Sequence, residues 1–187
     1  MTSAHLYFPG QLLSEAELTA ACLDGHLVAL GEAFVAADAV ETAALRGGSL
    51  RPLLRDALAA TGLSAAWVHG ALHAPPSRHR VQRVTARRLH HVIDRRLDYH
   101  DRRVPAGDLV LIGGVWVTTP TRTLADLARQ PGPVSEEAAR MLLGSGLADV
   151  GAGIAWLQAA GPLQNKRAAL ALLRGWVDQP EVTRYTS

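Results

Sequence analysis

The sequence predicts an α+β protein, in which a truncated helix and hairpin precede an α+β domain with a small antiparallel sheet and C-terminal helices. Three observations carry this. Ser14-Glu15-Ala16-Glu17 has the form of a capping box, and the helix it opens is followed by a Gly-X hairpin pattern. Apolar runs on either side of Gly113-Gly114 read as paired strands. From Thr119-Pro120 onward, helix-start signals recur to the end of the chain. At 187 residues the chain can bury one good core, or one core with a small module, and the expected division is 1–38 and 39–187.

Leu18, Ala21 and Cys22 repeat at helical spacing after Ser14, and Asp24-Gly25 ends that helix. Leu27 to Leu30 and Ala33 to Ala36 then flank Gly31-Glu32, the pattern of a tight hairpin. Helix followed by hairpin is the layout of a winged helix-turn-helix, here without its first helices. Val40 to Leu58 reads as helical, broken by Gly47-Gly48, with Pro52 near the start of a second helix. Ser64 is expected to cap a third helix from Ala65 to Leu72, which Pro75-Pro76 stops.

An extended segment at 79–86 follows, while Leu89, Val92, Ile93 and Leu97 have helical spacing and leave 87–95 open between helix and strand. Leu97 to Val104, Leu109 to Ile112 and Val115 to Val117 alternate or pair as strands, giving three or four antiparallel strands. Thr119 caps a helix with Pro120 at its first position and Leu124, Leu127 and Ala128 on its apolar face. Ser135 starts another helix to about Leu143, 153–160 and 163–177 read as helical, and 179–187 as a frayed tail.

Charge is distributed unevenly. The first 45 residues hold Glu15, Glu17, Asp24, Glu32, Asp38 and Glu41 and no lysine or arginine. Nine arginines, Arg78, Arg80, Arg83, Arg87, Arg88, Arg95, Arg96, Arg102 and Arg103, crowd into 78–103 beside Asp94, Asp98 and Asp101. Net charge over the whole chain is only +2, so the distribution says more than the sum. Three readings of the arginines stay open: a nucleic-acid surface helped by Tyr99 and His100, a dock for an acidic protein partner, or a solvated sheet face. The helix after Ser14 exposes acids, whereas base reading needs Arg, Lys, Asn or Gln in a cationic surround, so packing or dimer formation is its expected role.

The single Cys22 excludes an internal disulfide and zinc sites built on paired cysteines. Neither a basic leader with a long apolar run nor a membrane-length apolar stretch is present, and a cytoplasmic location is expected. His69 and His73 are spaced i, i+4 without a glutamate between them, and neither they nor His90-His91 are expected to hold a metal. Gly144-Ser145-Gly146 lacks the spacing of a nucleophile elbow and marks a helix end. Gly151-x-Gly153 reads as a turn, and the four tryptophans, Trp67, Trp116, Trp156 and Trp176, as core. Arg122 and Asp126, four apart, can pair along a helix surface in a structural role. No catalytic constellation and no cofactor site is expected.

Three segments in order resemble one family: Leu13 to Leu18 with its hairpin, Ala66-Trp67-Val68-His69-Gly70, and Val115 to Leu127. The family is that of AbiEi-type antitoxins from type IV toxin–antitoxin systems, often described as transcriptional regulators. The likeness covers roughly residues 10–130, and Thr-Pro-x-Arg-Thr-x-x-Asp-Leu at 119–127 is its most specific stretch. It implies a cytoplasmic, non-enzymatic protein whose N-terminal winged helix binds DNA at its own promoter and whose C-terminal domain neutralises a nucleotidyltransferase-like toxin. Where the family's wing is rich in arginine, this chain has Ala29, Gly31, Glu32 and Ala33. The alternative from the residues alone is a self-associating interaction protein, such as a homodimer, with no nucleic-acid role.

Overall fold

A computed structural model of the chain describes residues 6–89, 92 and 94–177. The expected tail at 179–187 and the pair His90-His91 lie outside the described residues, as does Ile93 of the ambiguous stretch. The chain divides into two compact units, Met1–Thr119 and Pro120–Ser187.

In the first unit, α1 (Glu15–Leu23) begins with the expected capping box. Ser14 N–H donates to the Glu17 carboxylate at 2.8 Å, and Glu17 N–H donates to Ser14 Oγ at 3.3 Å. The bond from Ser14 N–H, and after it one from the Ser14 hydroxyl at 2.8 Å, hold the Glu17 carboxyl below its ordinary range. Strands β1 (Leu27–Leu30) and β2 (Ala33–Ala36) pair antiparallel through Gly31-Glu32. Gly31 has φ +55°, and a Cβ there would stand 2.4 Å from Ser49 Oγ and 3.2 Å from the Trp67 ring, so the turn requires glycine. Tyr7 and Phe34 exchange backbone hydrogen bonds, both at 2.8 Å, which ties the N-terminal segment to β2.

Helix α2 (Ala43–Ser49) contains Gly47-Gly48 instead of breaking at them. A Cβ on Gly47 would sit 2.4 Å from the Ile112 carbonyl oxygen, so these glycines let helix and strand backbones approach. Pro52 falls in the first turn of α3 (Arg51–Leu54), as its missing N–H requires. The expected helix does not reach Leu58, which opens strand β3 (Leu58–Ala60). All three residues of β3 are buried, and a short apolar run without alternation has no period to separate strand from helix. Helix α4 (Gly62–Val68) starts after Thr61, not at Ser64. Ser64 Oγ instead accepts the Arg80 N–H at 2.9 Å from the neighbouring strand.

Strands β4 (His79–Arg83), β5 (Leu97–Arg103), β6 (Leu109–Ile112) and β7 (Val115–Thr118) complete a sheet of order β5-β4-β3-β7-β6. The sheet is mixed, not the expected three or four antiparallel strands. β3 runs parallel to β7 and β4 parallel to β5, while β3–β4 and β6–β7 are antiparallel. The unexpected β3 is the central strand and brings the parallel pairing with β7, while the connection from β4 to β5 returns the chain to run parallel to β4. Trp67, fully buried, lies in one continuous core with Leu6, Phe8, Leu30, Val35, Leu54, Val81 and Val117, so hairpin and sheet share their packing.

The second unit comprises α5 (Pro120–Ala128), α6 (Pro133–Gly144), α7 (Val150–Ala159) and α8 (Lys166–Val177). Leu124, Leu127, Leu142, Leu157 and Leu173 are fully buried. Helix α6 starts two residues before Ser135, which sits buried in its first turn. Gly151 and Gly153 lie within α7 and do not form a turn, because the Asp149 side chain caps that helix and Gly153 packs against Leu124 and Leu173. Among the described residues no helix is long and apolar enough to cross a membrane.

Candidate arginine-rich binding surface

The nine arginines separate into three groups along β4 and β5. At the C-terminal end of β5, the 84–88 segment folds back onto the strand. Arg83 donates to Asp101 at 2.9 Å and to the carbonyls of Thr85 and Ala86 at 2.7 and 2.9 Å. Arg88 reaches the other Asp101 oxygen at 3.4 Å, and Arg103 donates to the Val84 carbonyl at 3.4 Å. Arg87 and Arg102 are exposed and pair with no acid among the described residues. Among the described residues Arg83 and Arg88 share the one acid at this end, Asp101, and Arg87, Arg102 and Arg103 pair with none, which leaves a surplus of four positive charges. The Arg88 side chain is 75% exposed and that of Arg83 only 14%, so Arg83 anchors the loop and the others present charge.

The other two groups are nearly neutral. In mid-strand, Asp98 accepts from Arg80 at 2.9 Å and contacts His100 at 3.2 Å. At the N-terminal end, Arg96 pairs with Asp94 at 2.7 Å and with Glu32 of the hairpin turn. Arg96 holds the Asp94 carboxyl down at about 2, chiefly through its side-chain hydrogen bond. Arg78 is spent on the carbonyls of Arg95 and Leu97, at 3.1 and 2.5 Å, and Arg95 is exposed. Tyr99 donates to Asp101 at 3.1 Å and is half-buried. The acids are placed so that the C-terminal end of β5 keeps four surplus charges and the N-terminal end one, and spacing along the sequence does not reveal this.

Helix α1 carries no compensating charge, and Glu15, Glu17, Thr19 and Asp24 are all exposed. The Glu32–Arg96 contact spans 64 residues and has no local signature in sequence. Arg46 also escaped the sequence reading. It donates to the carbonyls of Trp67 and Leu72 at 2.7 and 2.8 Å, and so closes the end of α4.

The segment at 119–127 is internal to its fold. Arg122 and Asp126 are buried and not a surface pair, because α5 turns them inward. Asp126 accepts from Arg122 at 2.9 Å and from Arg129 at 2.8 Å, and the Arg122 guanidinium lies 4.6 Å from the Trp156 ring centre. Trp116, Trp156 and Trp176 are half-buried, so of the four tryptophans only Trp67 is full core. Thr119 directly precedes α5, and Pro120 is its first residue as expected. His69 ends α4 and its Nε2–H donates to the Thr118 carbonyl at 2.8 Å, which joins two of the three family-like segments. His73 lies beyond α4, so the two histidines share no helical face. Among the described residues no group of three His, Cys, Asp or Glu side chains gathers to hold a metal.

His79 is 5% exposed, 6.1 Å from Trp67, and its Nδ1 has no partner among the described residues. Burial first, and the Arg96 charge second, push its imidazole down to about 4 from 6.5. The folded chain therefore holds His79 neutral while the unfolded chain protonates it below 6.5. The stability it contributes is complete above pH 6.5 and falls as pH drops towards 4, by up to about 3 kcal/mol. Urea midpoints measured across that window should drop for the wild type and drop less for His79→Leu. Parallel curves would refute the assignment.

Residues 58–143 match the family model of the AbiEi antitoxin C-terminal domain, and that segment is similar to AbiEi-type antitoxins. No curated protein matches the chain.

Proposed function

We propose that this protein is a non-enzymatic, cytoplasmic antitoxin that acts by binding, with a nucleotidyltransferase-like toxin as its partner and DNA contacted for transcriptional control. The observation that carries the binding surface is the unmatched charge of Arg87, Arg88, Arg102 and Arg103 at one end of β5. Four uncompensated guanidinium groups favour polyanion contact, because each phosphate neutralised releases condensed counterions. The helix and hairpin of residues 15–36 are then a degenerate winged-helix element kept for packing: its core side joins the sheet, and its outer side is acidic.

The toxin arm is tested by coexpression with a neighbouring nucleotidyltransferase-like gene. Growth rescue and co-purification of the two products are expected. Failure of both with every adjacent candidate would remove the antitoxin role. Arg80→Ala should leave rescue intact, since Arg80 is already matched by Asp98.

A further inference from the structure

We propose that the cation-free face of the first unit docks the arginine cluster of a second copy of this chain, so that the protein self-associates head to tail. The proposal rests on reading Arg87, Arg88, Arg102 and Arg103 as a binding surface, and adds what competes for it. Helix α1 buries only Leu18. On its open side Ala16, Ala20 and Leu23 follow helical spacing, with Leu12 just ahead of the cap, and Leu12 and Leu23 are 87% and 85% exposed. An amphipathic surface helix turns its apolar stripe inward, whereas α1 keeps a second apolar stripe facing out. Glu15, Glu17 and Asp24 flank it, and no lysine or arginine occurs before Arg46.

Charge complementarity selects the occupant. Two α1 faces meeting symmetrically would oppose acid to acid, whereas the β5 cluster brings arginines whose methylene stems can lie along Leu23 while their heads meet the acids. One contact of the same kind exists within the chain, where Glu32 of the cation-free segment meets Arg96. The contact is heterologous, so it builds open chains or closed rings rather than an isologous dimer. Because the second copy covers the arginines that would meet phosphate, self-association and polyanion binding exclude one another.

Sedimentation velocity over a concentration series tests this with two charge reversals, Glu15→Lys with Asp24→Lys, and Arg87→Glu with Arg102→Glu. The wild type should associate, and should dissociate in about 1 M salt, where the screening length is about 3 Å, or with excess duplex DNA. Each double variant alone should be monomeric, and an equimolar mixture should associate again, which also shows that both fold. A wild type monomeric at every concentration, a mixture that stays monomeric, or DNA binding without dissociation would overturn the proposal. Heparin retention separates the two readings: if the wild type is retained but never associates, only self-association fails, and if it is neither retained nor associated, the binding surface fails with it.

Discussion

Asp126→Ala is expected to destabilise the second unit by about 3–5 kcal/mol, the range for breaking a buried ion pair from one side. Asp126 receives Arg122 and Arg129 through its two oxygens, and it and Arg122 are 6% and 7% exposed. Removing the carboxylate takes the 2.9 Å ion pair away from an Arg122 guanidinium that stays buried against Trp156. Replacing Arg122 by Met and Asp126 by Leu together should cost less than Asp126→Ala alone, because desolvating both charges is itself unfavourable. Chemical denaturation of the three proteins checks both statements. A loss below about 1 kcal/mol for Asp126→Ala would mean that the pair behaves as an exposed one.

Replacing Arg87, Arg88, Arg102 and Arg103 by Ala should abolish heparin retention and take roughly 3 to 4 units off the log–log salt slope of duplex binding, at about 0.9 per phosphate contact. The folded state should hardly change: Arg87 and Arg102 make no side-chain hydrogen bond or ion pair among the described residues, and the Arg88–Asp101 and Arg103–Val84 contacts, both 3.4 Å, are long and exposed. Arg80→Ala and Arg96→Ala provide the contrast, since Asp98, Asp94 and Glu32 already neutralise those side chains. Their slopes should match the wild type.

Much of the local structure was legible where chemistry is local. The capping box, the Gly31-Glu32 and Gly113-Gly114 turns and the Pro120 helix start each depend on neighbours within a few residues, and each stands as read. What escaped depends on distant partners. β3 is strand because β4 and β7 flank it, and position 47 of α2 is glycine because the Ile112 carbonyl leaves no room for a Cβ. The family-like stretch 119–127 was legible as a pattern, but its buried network with Arg129 and Trp156 was not. The arginine crowd was likewise visible as composition. Which arginines stay uncompensated depends on where Asp94, Asp98, Asp101 and Glu32 fall, and pairing across the β4–β5 ladder and the hairpin decides that.

The central claim is that polyanion contact has moved from the winged-helix position to the end of β5. Duplex DNA affinity measured against salt for the wild type, the four-arginine variant and an α1 variant carrying Glu15→Ala and Thr19→Ala tests it most directly. The account predicts a slope of roughly −3 to −4 for the wild type and the α1 variant, and a slope near zero for the four-arginine variant. Equal slopes for the wild type and the four-arginine variant, or binding lost only on changing α1, would contradict it.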